Sequence, residues 1–163
     1  MAERSKRINL YNPEKMAQVN PETMMLLNKY GIDMELRELS EKTIMSYKSD
    51  LNQWVIYILD NQQNKSALSI TEDDLTEFFY FCKKEGNNSR RIKRRMASIS
   101  AFYKYLRKKR LIVENPCEFI DRPKKDVDVA VQTFLTQEQV FLMKYRLKEM
   151  VEQGKRDAKE KRS

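Results

Sequence analysis

The sequence contains no histidine. That removes the commonest general base, the Ser-His and Cys-His nucleophile arrangements and most transition-metal sites. Glycine occurs three times and proline four times in 163 residues. Tight hairpins are therefore scarce, and long helices are expected. The two cysteines, Cys82 and Cys117, sit in apolar helical patterns rather than in a metal-ligand or redox spacing. They read as free thiols in a reducing, cytoplasmic compartment. The longest strongly apolar run, at residues 54–59, is far too short to span a bilayer. The amino terminus carries no apolar core of signal-peptide length. Neither a membrane nor a small-molecule ligand is expected as a partner, and no cofactor or metal.

What is present is charge, unevenly placed. Hydrophobic residues make up 40% and charged residues 34% of the chain, with a net charge of +8. This composition suits a folded, surface-rich helical protein. Residues 83–110 hold twelve Lys and Arg against the single acid Glu85, while the rest of the chain holds 20 bases and 23 acids. The positive excess thus belongs to one segment. Scattered charges usually mark a solvated face, but an excess this concentrated points to a polyanionic partner, most commonly nucleic acid.

The pattern along the chain predicts an all-α protein. Residues 1–20 read as a flexible, mildly basic arm, in which Arg4, Lys6 and Arg7 could touch phosphate. A first helix is expected from Pro21 to about Lys29, with candidate contacts Met24, Leu26 and Leu27, and with Gly31 ending it. Three later helices open alike: Ser40, Thr71 and Thr136 are N-caps, each flanked by an apolar residue one before and one four after. Those pairs are Leu39 and Ile44, Ile70 and Leu75, and Leu135 and Val140, and Asp74 and Gln139 hold capping-box positions.

The second helix, from Ser40 to about Leu59, has Ile44, Tyr47, Leu51, Trp54, Val55 and Ile58 on one face. A polar loop at 61–69 follows. The third helix, from Thr71 to about Lys84, buries Leu75, Phe78, Phe79 and Cys82. Gly86 and two asparagines then make a turn. A basic helix covers about 89–110, residues 115–120 read as a short helix opened by Pro116, and 121–133 as a linker. A last amphipathic helix from Thr136 presents Val140, Met143, Leu147 and Met150.

The basic helix has a division of faces. At 100° per residue, Ile92, Met96, Ile99, Tyr103 and Leu106 fall within about 40° of one direction. Arg90, Lys93, Arg94, Ala97, Ala101, Lys104 and Lys108 centre on the other side. Two alanines along the midline of a basic face let the backbone approach a surface closely, and the flanking cations reach phosphates on either side. That geometry suits a helix in a major groove, although alanine also simply favours helix. The start of the second helix, with Lys42, Thr43, Ser46 and Tyr47, is a candidate second contact because a helix N-terminus offers free N–H groups to phosphate.

Four motifs carry a family resemblance. R-R-M-A-S-I-S-A-F-Y-K-Y-L at 94–106 resembles the fourth helix of the core-binding domain of tyrosine recombinases, also called phage integrases. N-P-C-E-F-I-D-R-P-K at 115–124 resembles that domain's exit, and L-S-E-K-T-I-M-S-Y-K-S-D-L at 39–51 its entry helix. F-L-T-Q-E-Q-V at 134–140 resembles the opening of the catalytic domain.

The resemblance implies a SAM-like bundle of four to five helices with a flexible N-terminal arm and a C-terminal extension. In it, residues 21–120 form the DNA-binding domain, 121–133 the interdomain linker, and 134–163 the first helix of a truncated catalytic domain with a charged tail. It implies double-stranded DNA at a recombination half-site as the partner, with other recombinase subunits on that DNA. The implied DNA contacts are Lys42, Thr43, Ser46, Ser89, Arg90, Lys93, Arg94 and Lys104, with Arg122, Lys124 and Lys125 on the linker. Ser100 departs from the arginine often found at its position in the family. The family's nucleophilic tyrosine and its supporting Arg, Lys and His groups belong to the following domain, so no tyrosine here is assigned as a nucleophile. This chain is expected to bind DNA without cutting it, as part of a strand-exchanging parent enzyme.

Two other readings share the charge: a helical RNA-binding protein, and a protein-interaction module with an acidic partner. Titration against duplex DNA and structured RNA at matched salt separates the nucleic-acid readings. Tighter binding to the duplex is expected, and a preference for RNA excludes it.

Overall fold

The computed structural model describes residues 7–124. These form five α-helices: α1 (Pro13–Met16), α2 (Pro21–Leu36), α3 (Glu41–Asn61), α4 (Glu72–Lys84) and α5 (Ser89–Lys108), with a 3-10 turn at Ala67–Ser69. No strand occurs among the described residues. No helix there is long and apolar enough to cross a membrane. Arg4, Lys6, Lys125, the rest of the linker and the helix expected from Thr136 lie outside the described residues.

The helix starts follow from local side-chain chemistry. Ser40 accepts from the Thr43 N–H at the start of α3. Thr71 and Asp74 form a reciprocal capping box at the start of α4, as their spacing predicts. Burial would raise the pKa of Asp74, but hydrogen bonds from the Thr71 backbone and the Lys65 ammonium outweigh it and hold the carboxyl below its ordinary value. Asn88 caps α5 by accepting from the Arg91 N–H. Gly86 adopts φ 109° in the turn after α4, a conformation that favours glycine.

α3 and α5 form the central pair; α1 and α2 pack on α3, and α4 packs on α5. Trp54 at their contact is fully buried, with Phe102 and Tyr103 of α5 edge-on at 6.1 and 5.6 Å between ring centroids. Tyr103 donates from its hydroxyl to the Ala67 carbonyl at 2.7 Å, so the 3-10 turn is held to the core. Ile92, Met96, Ile99, Tyr103 and Leu106 are all buried, as are Leu75, Phe78, Phe79 and Cys82. Burial pushes the Cys82 and Cys117 thiols up to about 11, so both stay protonated and unreactive near neutral pH.

Four expectations need correction. α2 does not stop near Gly31 but continues to Leu36, burying Tyr30, Gly31 and Met34. Gly31 lies in the helix interior where α2 meets α3. A β-carbon there would come within 3.2 Å of Cε of Lys48, the far end of a flexible side chain, so the glycine does not end the helix and its neighbour leaves room for a β-carbon. Residues 7–20 are not a loose arm. They form α1 and lie against α3, held by an ion pair from Lys15 to Asp60 at 2.7 Å and by Asn64, which bonds both Gln18 and Asn20.

The segment 115–120 is a run of turns rather than a helix. Asn115 accepts from the Cys117 N–H, and the backbone bonds span only three residues, from Glu118 to Asn115 and from Ile120 to Cys117. Nucleating a helix is costly, and this stretch is too short to repay it. Finally, α3 buries more than one face: Asp50, Gln53, Ile56 and Tyr57 join Leu51, Trp54, Val55 and Ile58. Neighbours surround its second half, so amphipathic periodicity understates its burial.

Gly31→Ala tests whether the helix interior there has room for a side chain. The clashing atom belongs to an exposed, flexible side chain, so Lys48 can move aside. Removing a mid-helix glycine then stabilises the fold by about 0.5–1 kcal/mol in urea unfolding. A loss of stability would mean that the backbone contact itself is tight.

Candidate nucleic-acid interface

The site is built from a buried acid. Asp50 points from α3 into the α3–α5 contact and is 1% exposed. Its carboxylate accepts from Nη2 of Arg91 at 2.7 Å and from the Ser98 hydroxyl at 2.7 Å, and it lies 3.5 Å from Nε of Arg94. One helical turn beyond, Arg95 is also 1% exposed. Its Nε donates to Asn87 at 2.8 Å and its Nη2 to Gln53 of α3 at 3.2 Å, and its guanidinium lies 5.9 Å from the Phe78 ring centre. Burial works against its charge and lowers its pKa. Two of the twelve cations of the basic segment are therefore occupied inside the fold, Arg91 only in part.

The remaining cations divide as the helical pattern requires. Arg90, Arg94, Lys104 and Lys108 are exposed; Ser89, Lys93, Ala97 and Ala101 are half-buried along the same side. Ser100 lies at the edge of that side but is buried, where its backbone carbonyl and hydroxyl accept from Asn115. It packs the exit turn rather than facing outward.

The other candidate contacts are partly drawn together. Arg122, on the segment leaving the bundle, reaches back so that Nη1 meets the Lys93 carbonyl at 3.5 Å. Lys124 is exposed. On α3, Thr43 and Ser46 lie within about 60° of Asp50 around the helix, on the side that Asp50 ties to α5. Lys42 is exposed nearby. Thr43 also accepts at 2.7 Å from the Ser40 hydroxyl, so it belongs to the cap as well. Lys104 sits about 15 Å along α5 from Arg94, at 1.5 Å per residue, and no described contact joins it to the others.

Asp50, Gln53, Asn87, Arg91 and Arg95 went unassigned on sequence. The one available signal was an acid and an amide, Asp50 and Gln53, among the apolar positions of α3. Both are too polar for an unpartnered core.

Removing each arginine should weigh their roles. Arg91→Ala leaves a buried carboxylate short of its nearest cation and should cost about 2–3 kcal/mol of unfolding free energy. Arg94 is half exposed and farther from the acid, so Arg94→Ala should cost less than about 1 kcal/mol. Equal costs in denaturant melts would contradict this ordering.

Comparison with known proteins bears on the family of the chain. The family described as "Phage integrase, N-terminal SAM-like domain" matches residues 28–110. The chain is 32% identical over 90 residues to tyrosine recombinase XerD of Oceanobacillus iheyensis, covering 55% of this chain and 30% of that protein. It is 37% identical over 90 residues to tyrosine recombinase XerC of Herpetosiphon aurantiacus, covering 55% and 29%. Over 125 residues it is 31% identical to XerC of Syntrophus aciditrophicus, covering 72% and 40%. The chain thus spans about a third of the length of the curated relatives it matches. No solved structure matches the chain significantly.

Proposed function

This chain belongs to the phage integrase N-terminal SAM-like domain family, and from that premise we propose that it holds duplex DNA for site-specific recombination. The observation that carries the reading is the outward face of α5. Arg90, Arg94 and Lys104 are exposed, with Lys93 beside them and Ala97 and Ala101 between. Small residues on the midline permit close approach to a groove, and the flanking cations reach the phosphates. Ser89 stands at the first turn of the same helix, where backbone N–H groups face outward.

Thr43, Ser46 and Lys42 supply a second contact beside α5 because Asp50 ties their side of α3 to it. Arg122 extends the basic surface at Lys93, and Lys124 and Lys125 follow it in sequence on the linker. Residues 21–120 act as the binding domain and 121–133 as the connection to a catalytic region. Its part in recombination is to hold the duplex beside other subunits on the DNA, and none of the described residues is assigned to the cutting and rejoining of strands.

The test is Arg90→Ala, Lys93→Ala and Arg94→Ala combined. Duplex affinity should fall and its salt dependence flatten, by about one log unit of slope for each phosphate left without its cation. Circular dichroism establishes that the fold survives. A triple variant that binds like the parent places the DNA elsewhere.

A further inference from the structure

A cleft of about 380 Å³ opens between the segment before α1 and the start of α5. Among the described residues its wall is Arg7, Ile8, Asn9, Gln53, Asn87, Arg91 and Arg94. Three of these are guanidinium groups and none is an acid. Among the described residues Ile8 is the sole apolar side chain of the wall, too little to seat an aromatic or aliphatic ligand.

The charge behind the wall adds to this. Arg95 lies beneath it and donates to three of its residues: the Asn87 and Gln53 side chains and, at 3.4 Å, the Ile8 carbonyl. Asp50 offsets one unit by holding Arg91 and Arg94. Three wall arginines and Arg95 against that acid leave a net positive cleft. Nη1 of Arg91, a wall residue, and Nη1 of Arg95, beneath the wall, are buried and have no hydrogen-bond partner. Unsatisfied buried donors are uncommon. Guanidinium donors on a concave wall match the oxygens of a phosphate.

We propose that this cleft is a phosphate site that takes one backbone phosphodiester of the duplex alongside α5. The inference rests on the DNA-binding reading above. Arg94 joins the two surfaces, since it lies on the outward face of α5 and also in the cleft wall. The segment 7–9, expected to be a loose arm, then acts as a fixed jaw. The bond from the Leu10 N–H to Gln53 at 3.4 Å and that from Arg95 to Ile8 set it in place.

Arg7 is exposed and outside the helical core, so it is the residue to change in the full chain. Arg7→Ala should weaken duplex binding about 3- to 10-fold and lower the slope of log affinity against log salt by about one. Arg7→Lys should restore most of both. In amide NMR titrations, sodium phosphate should shift Ile8, Asn9 and residues 88–91 beyond the effect of sodium chloride at equal ionic strength, and Arg7→Ala should abolish that shift. If Arg7→Ala binds DNA like the parent while Arg90→Ala weakens it, the cleft assignment is wrong and the groove reading stands. If phosphate shifts the amides yet Arg7→Ala leaves DNA affinity intact, the cleft holds free phosphate and no phosphodiester, which overturns the proposal. If neither variant alters duplex binding, the groove reading fails first and takes the cleft with it.

Discussion

The buried carboxylate of Asp50 makes two demands at once on the helices around it. It must be paired, because an isolated charge at 1% exposure is too costly to leave in the core. The partners within reach are Arg91, Arg94 and Ser98, all on α5. Satisfying the acid therefore fixes how α5 is rotated and how far it slides along α3. That rotation turns Ile92, Met96, Ile99 and Tyr103 inward, the last against Trp54, and leaves Arg90 and Lys104 in solvent. Apolar packing supplies the driving force for α3 and α5 to meet, but it is non-directional. The charged hydrogen bonds are directional, and they select one register among the apolar fits.

The same logic extends one turn along. Arg95 is buried without a carboxylate among its described hydrogen bonds and relies on amide and carbonyl oxygens from Asn87, Gln53 and Ile8. One side chain thereby joins the turn before α5, the middle of α3 and the segment before α1. A guanidinium suits this, because its donors point in several fixed directions. The basic segment thus has two kinds of cation. Arg91 and Arg95 hold the fold together, whereas Arg90, Lys93, Arg94 and Lys104 are placed for a partner. Arg94 takes part in both, and so does Arg91 in the proposed cleft, which couples the interface to the core through the partners of Asp50.

Much of this was legible in the residues alone. The caps at Ser40 and Thr71 depend on contacts three residues apart, so local sequence is enough to place them. The inward set on α5 follows from helical period, and so does the outward basic face. What was misread shares a cause. Gly31 looks like a helix end because glycine is a weak helix former, but whether a helix stops depends on what packs over it, here Lys48 on α3. Residues 7–20 look like a polar arm because their partners, Asp60 and Asn64, lie more than 40 positions away.

Sequence by itself determined that this chain is helical, where α3, α4 and α5 begin, which side of α5 is apolar and that its positive charge is concentrated there. Those features are set by interactions within a few residues, or by composition. Tertiary structure alone decided which cations remain available. Arginines at 90, 91, 94 and 95 are equivalent in a charge count, yet one is buried, one is largely spent on Asp50 and two face solvent. The physical reason is that a charge acts according to its surroundings. Burial and pairing are set by the helix packed opposite, which no local pattern in α5 contains.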